Sequence, residues 1–499
     1  MNSWKKSSAM VEETGKSQYC YYLLFLLVSI LFLLLASTTT SPFYNTVGYD
    51  SAIFAMMGRL FLEGLTPYTD YFDHKGPTIV FIEAIGLSFS SNEKLSLFIL
   101  QTINLTIVQV LIFRCARFFL SPLNSIAVVL FTLLMLSITF QGGNSTEEFS
   151  LPFLFAGLYT ALSYYFSDIQ KVKILPMFLT GLFISILFWL RLTNIGILCA
   201  CVLFIFIMCL QKKDTKEAIK VIVWNIIGFL SYSLLVILYF YTKGALDEMI
   251  YSTFTYNIKY SLVKEFDIKH QSEGIFHYVR TYITFSILLF GASYYYRKTK
   301  NRSLLILSGL MLFVNLILTI LIGPKFYHYM TLNIPCATLG FIFIAVLWKP
   351  LQQKIGSIFF VFLAVFLFLG YSVLKLNKEV EDDTKYIEEV HNTISLIPEK
   401  ELNSIFAYQV DIRFWTYSKL KPYFRYFFTQ EQHGAADNQI LKDINNKIES
   451  DPPIWIVIGI GVDLGINNNT QLLNIIEQDY YLITGNSEFE LYRLKSKTE

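Results

Sequence analysis

The chain has 499 residues, of which 54% are hydrophobic, 17% aromatic and only 16% charged. Soluble domains carry about a quarter charged residues, so the deficit excludes an ordinary water-soluble enzyme and points to lipid as the main solvent. The formal charge of +2 says little as a total, since placement matters more than sum in a membrane protein; no nucleic-acid partner is expected, because no basic patch with interleaved aromatics lies outside the membrane-flanking clusters. The six cysteines lie mostly in or beside apolar runs, without CxxC or metal-ligand spacing, and read as packing residues.

A bilayer core of about 30 Å takes roughly 20 helical residues to cross. Runs of that kind recur near 20–40, 95–118, 122–140, 149–167, 174–190, 194–210, 219–241, 280–296, 303–322, 331–348 and 355–376. Each is too long and too uniformly apolar for a barrel strand, so the expectation is a polytopic α-helical membrane protein of about eleven spans. The first run, behind Lys5, Lys6 and Lys16, reads as an uncleaved span rather than a signal peptide.

Basic residues set the orientation. With residues 1–19 cytoplasmic, the short loops holding Arg114 and Arg117, Lys171 and Lys173, Lys212 to Lys220, Arg297 to Arg302, and Lys349 and Lys354 all fall inside. A cell-membrane location follows, with two long outer segments, 41–94 and 242–279. An odd span count leaves residues 378–499 outside. That tail changes composition and reads as helix 383–396, strand 404–410, helix 437–449, strand 453–460, helix 470–478 and strands 480–485 and 488–494. The alternation predicts a small extracytoplasmic α/β domain beyond a membrane domain of residues 20–377.

The polar residues able to do chemistry gather on the outer side. In the first outer segment, apolar residues at 53, 54, 57, 60 and 61 share one helical face, predicting a helix lying at the interface with Asp50 at its start. A carboxylate there is either a helix cap or a base held charged and oriented by the helix terminus. The segment continues through Tyr68, Asp70, Tyr71, Phe72, Asp73, His74 and Lys75. A lysine in this place meets a lipid phosphate or snorkels to a headgroup, and the rings stack on a sugar or anchor the interface. Three further outer sites are Gly142 to Glu148, Arg191 with Asn194, and Gly323 to Tyr329, which includes Lys325, Tyr327 and His328. Charges near a bilayer need partners or water, so a shared polar cavity is expected. His74 beside Asp70 and Asp73 lacks a zinc spacing, and Glu147 and Glu148 as helical neighbours point apart; no cofactor is expected, and a divalent metal is the lesser alternative.

Three motifs now carry a resemblance: Tyr49-Asp50 just after the first span, Gly64-x-x-Pro67-Tyr68-x-Asp70 running on to Lys75-x-Pro77, and His328-Tyr329 ahead of Pro335. They resemble the GT-C superfamily of polytopic glycosyltransferases, family 39-like, which includes protein O-mannosyltransferases and lipid A aminoarabinose transferases. The Asn144-x-Thr146-Glu147 stretch is similar to a second-loop acidic motif of that group. The resemblance implies an inverting transfer of a hexosyl or pentosyl unit from a polyprenyl-phosphate carrier to a lipid, glycan or protein acceptor at the outer face of the membrane. It implies Asp50 as general base and Lys75 at the carrier phosphate, with His328 in the cavity; Arg191, Lys325 and His328, gathered on the same side by topology, are the further candidate donor and phosphate contacts. Tyr49, Tyr68, Asp70, Asp73, His74, Glu147 and Tyr327 would line the cavity. The pattern departs where Ser51 and Ala52 follow Asp50 and where Lys75-Gly76-Pro77 replaces K-P-P. A lipid-linked saccharide flippase, a surface polysaccharide polymerase or ligase, and a non-catalytic scaffold are the alternatives. The first would place ionisable residues and broken helices at mid-bilayer in paired halves, which this sequence does not show.

Overall fold

A computed structural model describes residues 15–263, 268–322, 327–348, 354–376, 383–460 and 469–495. Every one of the expected apolar runs is helical. They correspond to α1 (Gly15–Ala36), α4 (Glu93–Arg117), α5 (Pro122–Thr139), α6 (Thr146–Phe166), α7 (Ile174–Leu190), α8 (Gly196–Gln211), α9 (Thr215–Thr242), α12 (Ile268–Thr299), α13 (Arg302–Ile322), α14 (Ile334–Leu347) and α15 (Lys354–Leu376). Among the described residues seven helices are long and apolar enough to cross a membrane, and the chain is a multi-pass membrane protein.

The chain divides into two compact units: residues 1–44, 94–235 and 268–380 form the first, and residues 45–93, 236–267 and 381–499 the second. Within the first, hydrocarbon gives helices no hydrophobic reason to associate, so small residues and polar side chains do the work. Gly181 of α7 and Gly228 of α9 bring two backbones together. A Cβ at either would lie about 2 Å from a carbonyl oxygen of the other helix, that of Asn225 or Phe178. The Gln109 amide of α4 donates to Ser29 Oγ of α1 at 2.6 Å and to the Phe25 carbonyl at 3.2 Å.

The second unit holds α2 (Tyr49–Leu62), α3 (Thr78–Leu87), α10 (Leu246–Ile250), α11 (Tyr256–Val263), α16 (Thr384–Ser395), α17 (Arg413–Ser418), α18 (Gln430–Ala436), α19 (Gln439–Ser450) and α20 (Thr470–Asp479). Its sheet has strands β1 (Ile405–Tyr408), β2 (Trp455–Gly459), β3 (Tyr480–Gly485) and β4 (Phe489–Leu494) in the order β1-β2-β4-β3. β1 and β2 run parallel, the other pairs antiparallel. Ile440, Ile444 and Ile448 of α19 pack with Phe406, Ile456, Leu472 and Ile476 to make its core. Two rings in that same core come from far away in sequence, Phe72 and Tyr256.

One expectation changes here. The helix at Asp50 does not present a single apolar face: nine of its fourteen residues are buried, Ser51 to Gly58 and Leu60. The reason is α3, which no periodicity announced and which packs against α2 closely enough that a Cβ on Gly58 would meet Glu83 Cβ at 2.6 Å.

Candidate active site

The first set of candidate residues belongs wholly to the second unit. Gly48 is the N-cap of α2, in extended conformation and without a side chain to offer. Asp50 is therefore not the cap; it stands in the first turn, where the helix dipole favours its charge. Its side chain is 42% exposed, and Oδ1 lies 4.0 Å from Lys75 Nζ. Lys75 Nζ also lies 3.9 Å from Asp73 Oδ2 and 5.1 Å over the Phe54 ring. One ammonium thus faces one exposed and one buried carboxylate, both at long ion-pair distances.

The turn carrying Lys75 is held on every side. Its own N–H donates to Asp73 Oδ1 at 2.7 Å, and its carbonyl accepts from the Tyr68 hydroxyl at 2.8 Å. Tyr68 sits at a φ of 70°, rare for an aromatic residue, and its ring is buried. Asp70 closes the loop before it, accepting from the Thr66 N–H at 2.6 Å. Asn257 Nδ2 donates to the His74 carbonyl at 2.7 Å. The His74 ring stacks on Tyr260 at 5.4 Å and lies 6.2 Å from the His433 ring.

His433, Tyr256, Asn257 and Tyr260 were not singled out by sequence. His433 Nδ1 pairs with the Tyr256 hydroxyl at 2.7 Å, while its Nε2 is buried with no hydrogen-bond partner among the described residues. Burial first, then the neighbouring His74, lowers its pKa to about 3, against the opposing pull of Asp73. It is a neutral imidazole. The Tyr49 phenol, on a side chain still partly open to solvent, is raised above its usual value by partial burial and then by the fields of Asp411, Asp50 and Asp73.

The second set lies in the first unit. Ser145 caps α6 by accepting from the Glu148 N–H. Arg191 Nη1 meets Glu147 Oε1 at 2.5 Å, with the guanidinium 4.2 Å over the Tyr329 ring. Burial works against the Arg191 charge, and Glu147 with Tyr329 more than offsets it, so its pKa is raised. Glu148 points elsewhere, accepting from the Asn144 N–H at 2.7 Å and Gln101 Nε2 at 2.8 Å. Asn194 donates to Ser150 Oγ at 2.8 Å, and His328 Nδ1 pairs with Gln141 Oε1 at 2.7 Å. Lys325 lies outside the described residues, as does the side chain of Tyr327, which begins a short 3-10 helix, Tyr327–Asn333. Among the described residues no three His, Cys, Asp or Glu side chains are arranged to hold a metal ion.

A helical membrane bundle and a small α/β unit that includes residues 45–93 and 236–267 give this chain the fold of the GT-C membrane glycosyltransferases. In particular, it is similar to ArnT from Cupriavidus metallidurans, solved bound to undecaprenyl phosphate: the TM-score is 0.63 at 10% identity, over 97% of this chain and 99% of that one. The oligosaccharyltransferase of Archaeoglobus fulgidus in its apo form is a more distant likeness, with a TM-score of 0.50 at 12% identity over 97% and 76% of the two chains. No protein-family model and no curated protein sequence matches.

Proposed function

We propose that this protein is an inverting glycosyltransferase that moves a hexosyl or pentosyl unit from a polyprenyl-phosphate carrier to a lipid, glycan or protein acceptor on the outer face of the cell membrane. The observation that supports it is the half-exposed Asp50 carboxylate 4.0 Å from the Lys75 ammonium, in a chain that shares its fold with a protein solved with undecaprenyl phosphate. Asp50 is the general base. As the anomeric carbon parts from the carrier phosphate, the acceptor oxygen bonds to its opposite face and gives its proton to Asp50. Phosphate is a good leaving group, so the base acts late. Lys75 stabilises the charge that gathers on the departing phosphate, and a phosphate binding there exchanges for its long contacts to Asp50 and Asp73.

Tyr68, Asp70, Asp73 and His74 hold the lysine turn rather than meet the sugar. Tyr49 flanks the base. We assign Arg191 and Glu147 to holding the start of α6, since each is committed to the other, and leave His328 and Lys325 as secondary donor contacts. No step requires a metal, so chelation leaves the rate unchanged. The N-terminus is inside and the C-terminal segment outside.

The test is incubation of membranes holding the protein with polyprenyl-phosphate sugars, with products identified by mass spectrometry. Wild type transfers and Asp50→Asn does not; equal transfer by both overturns the assignment of the base. Reporter fusions after residues 75, 260 and 400 all read outside, and a cytoplasmic signal at 400 overturns the orientation.

A further inference from the structure

The proposed reaction makes no use of the segment from α10 to α11, yet that segment reaches into the lysine turn. Between the two helices the coil widens. Tyr251–Thr255 is a π-turn, closed where the Tyr256 N–H donates to the Tyr251 carbonyl five residues back. Turns of this kind are rare and are found most often at functional sites. The residue that follows anchors this one. The Tyr256 ring is buried in the core of the α/β unit, meets Phe72 edge-on at 5.2 Å and pairs with His433 through its hydroxyl.

Asn257 comes next, and its amide nitrogen carries two hydrogens. Nδ2 donates to the Thr253 carbonyl within the π-turn at 2.9 Å and to the His74 carbonyl at 2.7 Å. The bond to its own turn orients the amide, so that the second hydrogen is aimed across at His74. That second bond lands on one particular peptide group, the one joining His74 to Lys75. The other end of the same group, the Lys75 N–H, donates to Asp73 Oδ1 at 2.7 Å. A peptide group is planar, and here both of its ends are held, one by Asp73 and one by Asn257. The tilt of that plane sets the direction in which the Lys75 side chain leaves the backbone. With Asn257 gone, the single bond to Asp73 lets the plane turn.

We propose that Asn257 is a positioning residue for the phosphate contact. By bracing the His74 carbonyl against the π-turn it fixes the His74–Lys75 peptide, and with it the place of the Lys75 ammonium. This rests on the functional reading above, in which Lys75 meets the carrier phosphate. The segment from α10 to α11 is then part of the working site, although it supplies neither base nor cation.

Affinity for undecaprenyl phosphate, measured by native mass spectrometry on the purified full chain, separates positioning from structure. The proteins compared are wild type, Asn257→Leu, Lys75→Ala and the double variant. Leucine is of similar size and a good helix former, and it removes both donors. Asn257→Leu weakens binding about 10-fold, within the range expected for loss of a charge-assisted contact. In the Lys75→Ala background the same substitution changes affinity by less than about twofold, because residues that act through one contact are not additive. A brace that merely supports the fold weakens binding by the same factor in both backgrounds, and that result overturns the inference. Binding by Asn257→Leu at the wild-type affinity, with Lys75→Ala weakened, also overturns it and leaves the function standing. Wild-type affinity in Lys75→Ala overturns the reading of Lys75 as the phosphate contact, and the inference with it. If the leucine variant does not fold, Asn257→Ala, which adds no bulk, completes the same cycle with the same outcomes.

Discussion

Two charge clusters, one in each compact unit, use the same chemical types in opposite ways. Around Lys75 the ion pairs are long, 3.9 and 4.0 Å, and one carboxylate is open to solvent. At Arg191 the pair closes to 2.5 Å, the carboxylate is 2% exposed and Tyr329 covers the guanidinium. A long pair with its carboxylate half-exposed, as Lys75 with Asp50, is worth at most about 1 kcal/mol, so those two part at little cost. Breaking a buried pair by removing one member costs about 3–5 kcal/mol, because the remaining charge is stranded. The loose cluster suits a substrate that arrives charged and leaves charged; the tight one suits a fixed scaffold.

The largest effect expected is on the loose side. Asp50→Asn lowers the transfer rate about 10²–10⁴-fold, the usual contribution of a general base, with a melting temperature near that of wild type. Purified protein assayed by initial rates shows this, and a fall in stability to match would erase the contrast between the clusters. Next comes the tight side. Arg191→Ala destabilises by about 3–5 kcal/mol, seen in detergent melts, whereas replacing Arg191 with Met and Glu147 with Leu together recovers most of it. If Arg191→Ala melts as wild type but loses carrier binding, the two clusters exchange roles.

Lys75→Ala is intermediate. Loss of a charge-assisted contact worth about 1.5–3 kcal/mol weakens undecaprenyl phosphate binding about 10–100-fold, measured by native mass spectrometry, and it lowers stability as well, because the buried Asp73 carboxylate loses the cation beside it. The smallest effect is on pH. Neutral in the folded protein with a pKa of about 3, His433 binds its proton in the unfolded chain near 6.5. Its contribution to stability is complete above pH 6.5 and is lost as pH falls towards 3, by up to about 1.4 kcal/mol per unit. Melting curves between pH 7.5 and 5 show this dependence in wild type, and His433→Gln flattens it.

The membrane helices were legible because a span is a long apolar run with basic ends, and hydropathy alone reports it. The α/β elements were legible for a related reason: Ile440, Ile444 and Ile448 recur at helical spacing, and Trp455 to Gly459 reads as a short apolar strand. What escaped has a physical cause. α3 is ten residues behind Pro77 with apolar residues all round, so no period marks it. The stretch from Gln409 to Ala436 holds three non-glycine residues at positive φ, Gln409, Lys419 and Thr429, and its helices are six or seven residues long. Composition does not encode such a path, and His433 was hidden in it. Asp50 and Lys75 were found through their motif and lie together, while the charge of Arg191 gave no sign of how tightly it was already engaged.

Phe72 and Tyr256 sit in a core whose other rings and aliphatic chains come from residues 406 to 480. During synthesis the segment holding Phe72 is therefore made, and must wait, through more than three hundred further residues before its hydrophobic partners exist. Contacts of such sequence separation form late, so the lysine turn stays unfinished until nearly the whole polypeptide has emerged. A product truncated after Leu376 would carry the helices α1 to α15 and still leave Phe72 and Tyr256 without the core residues they pack against.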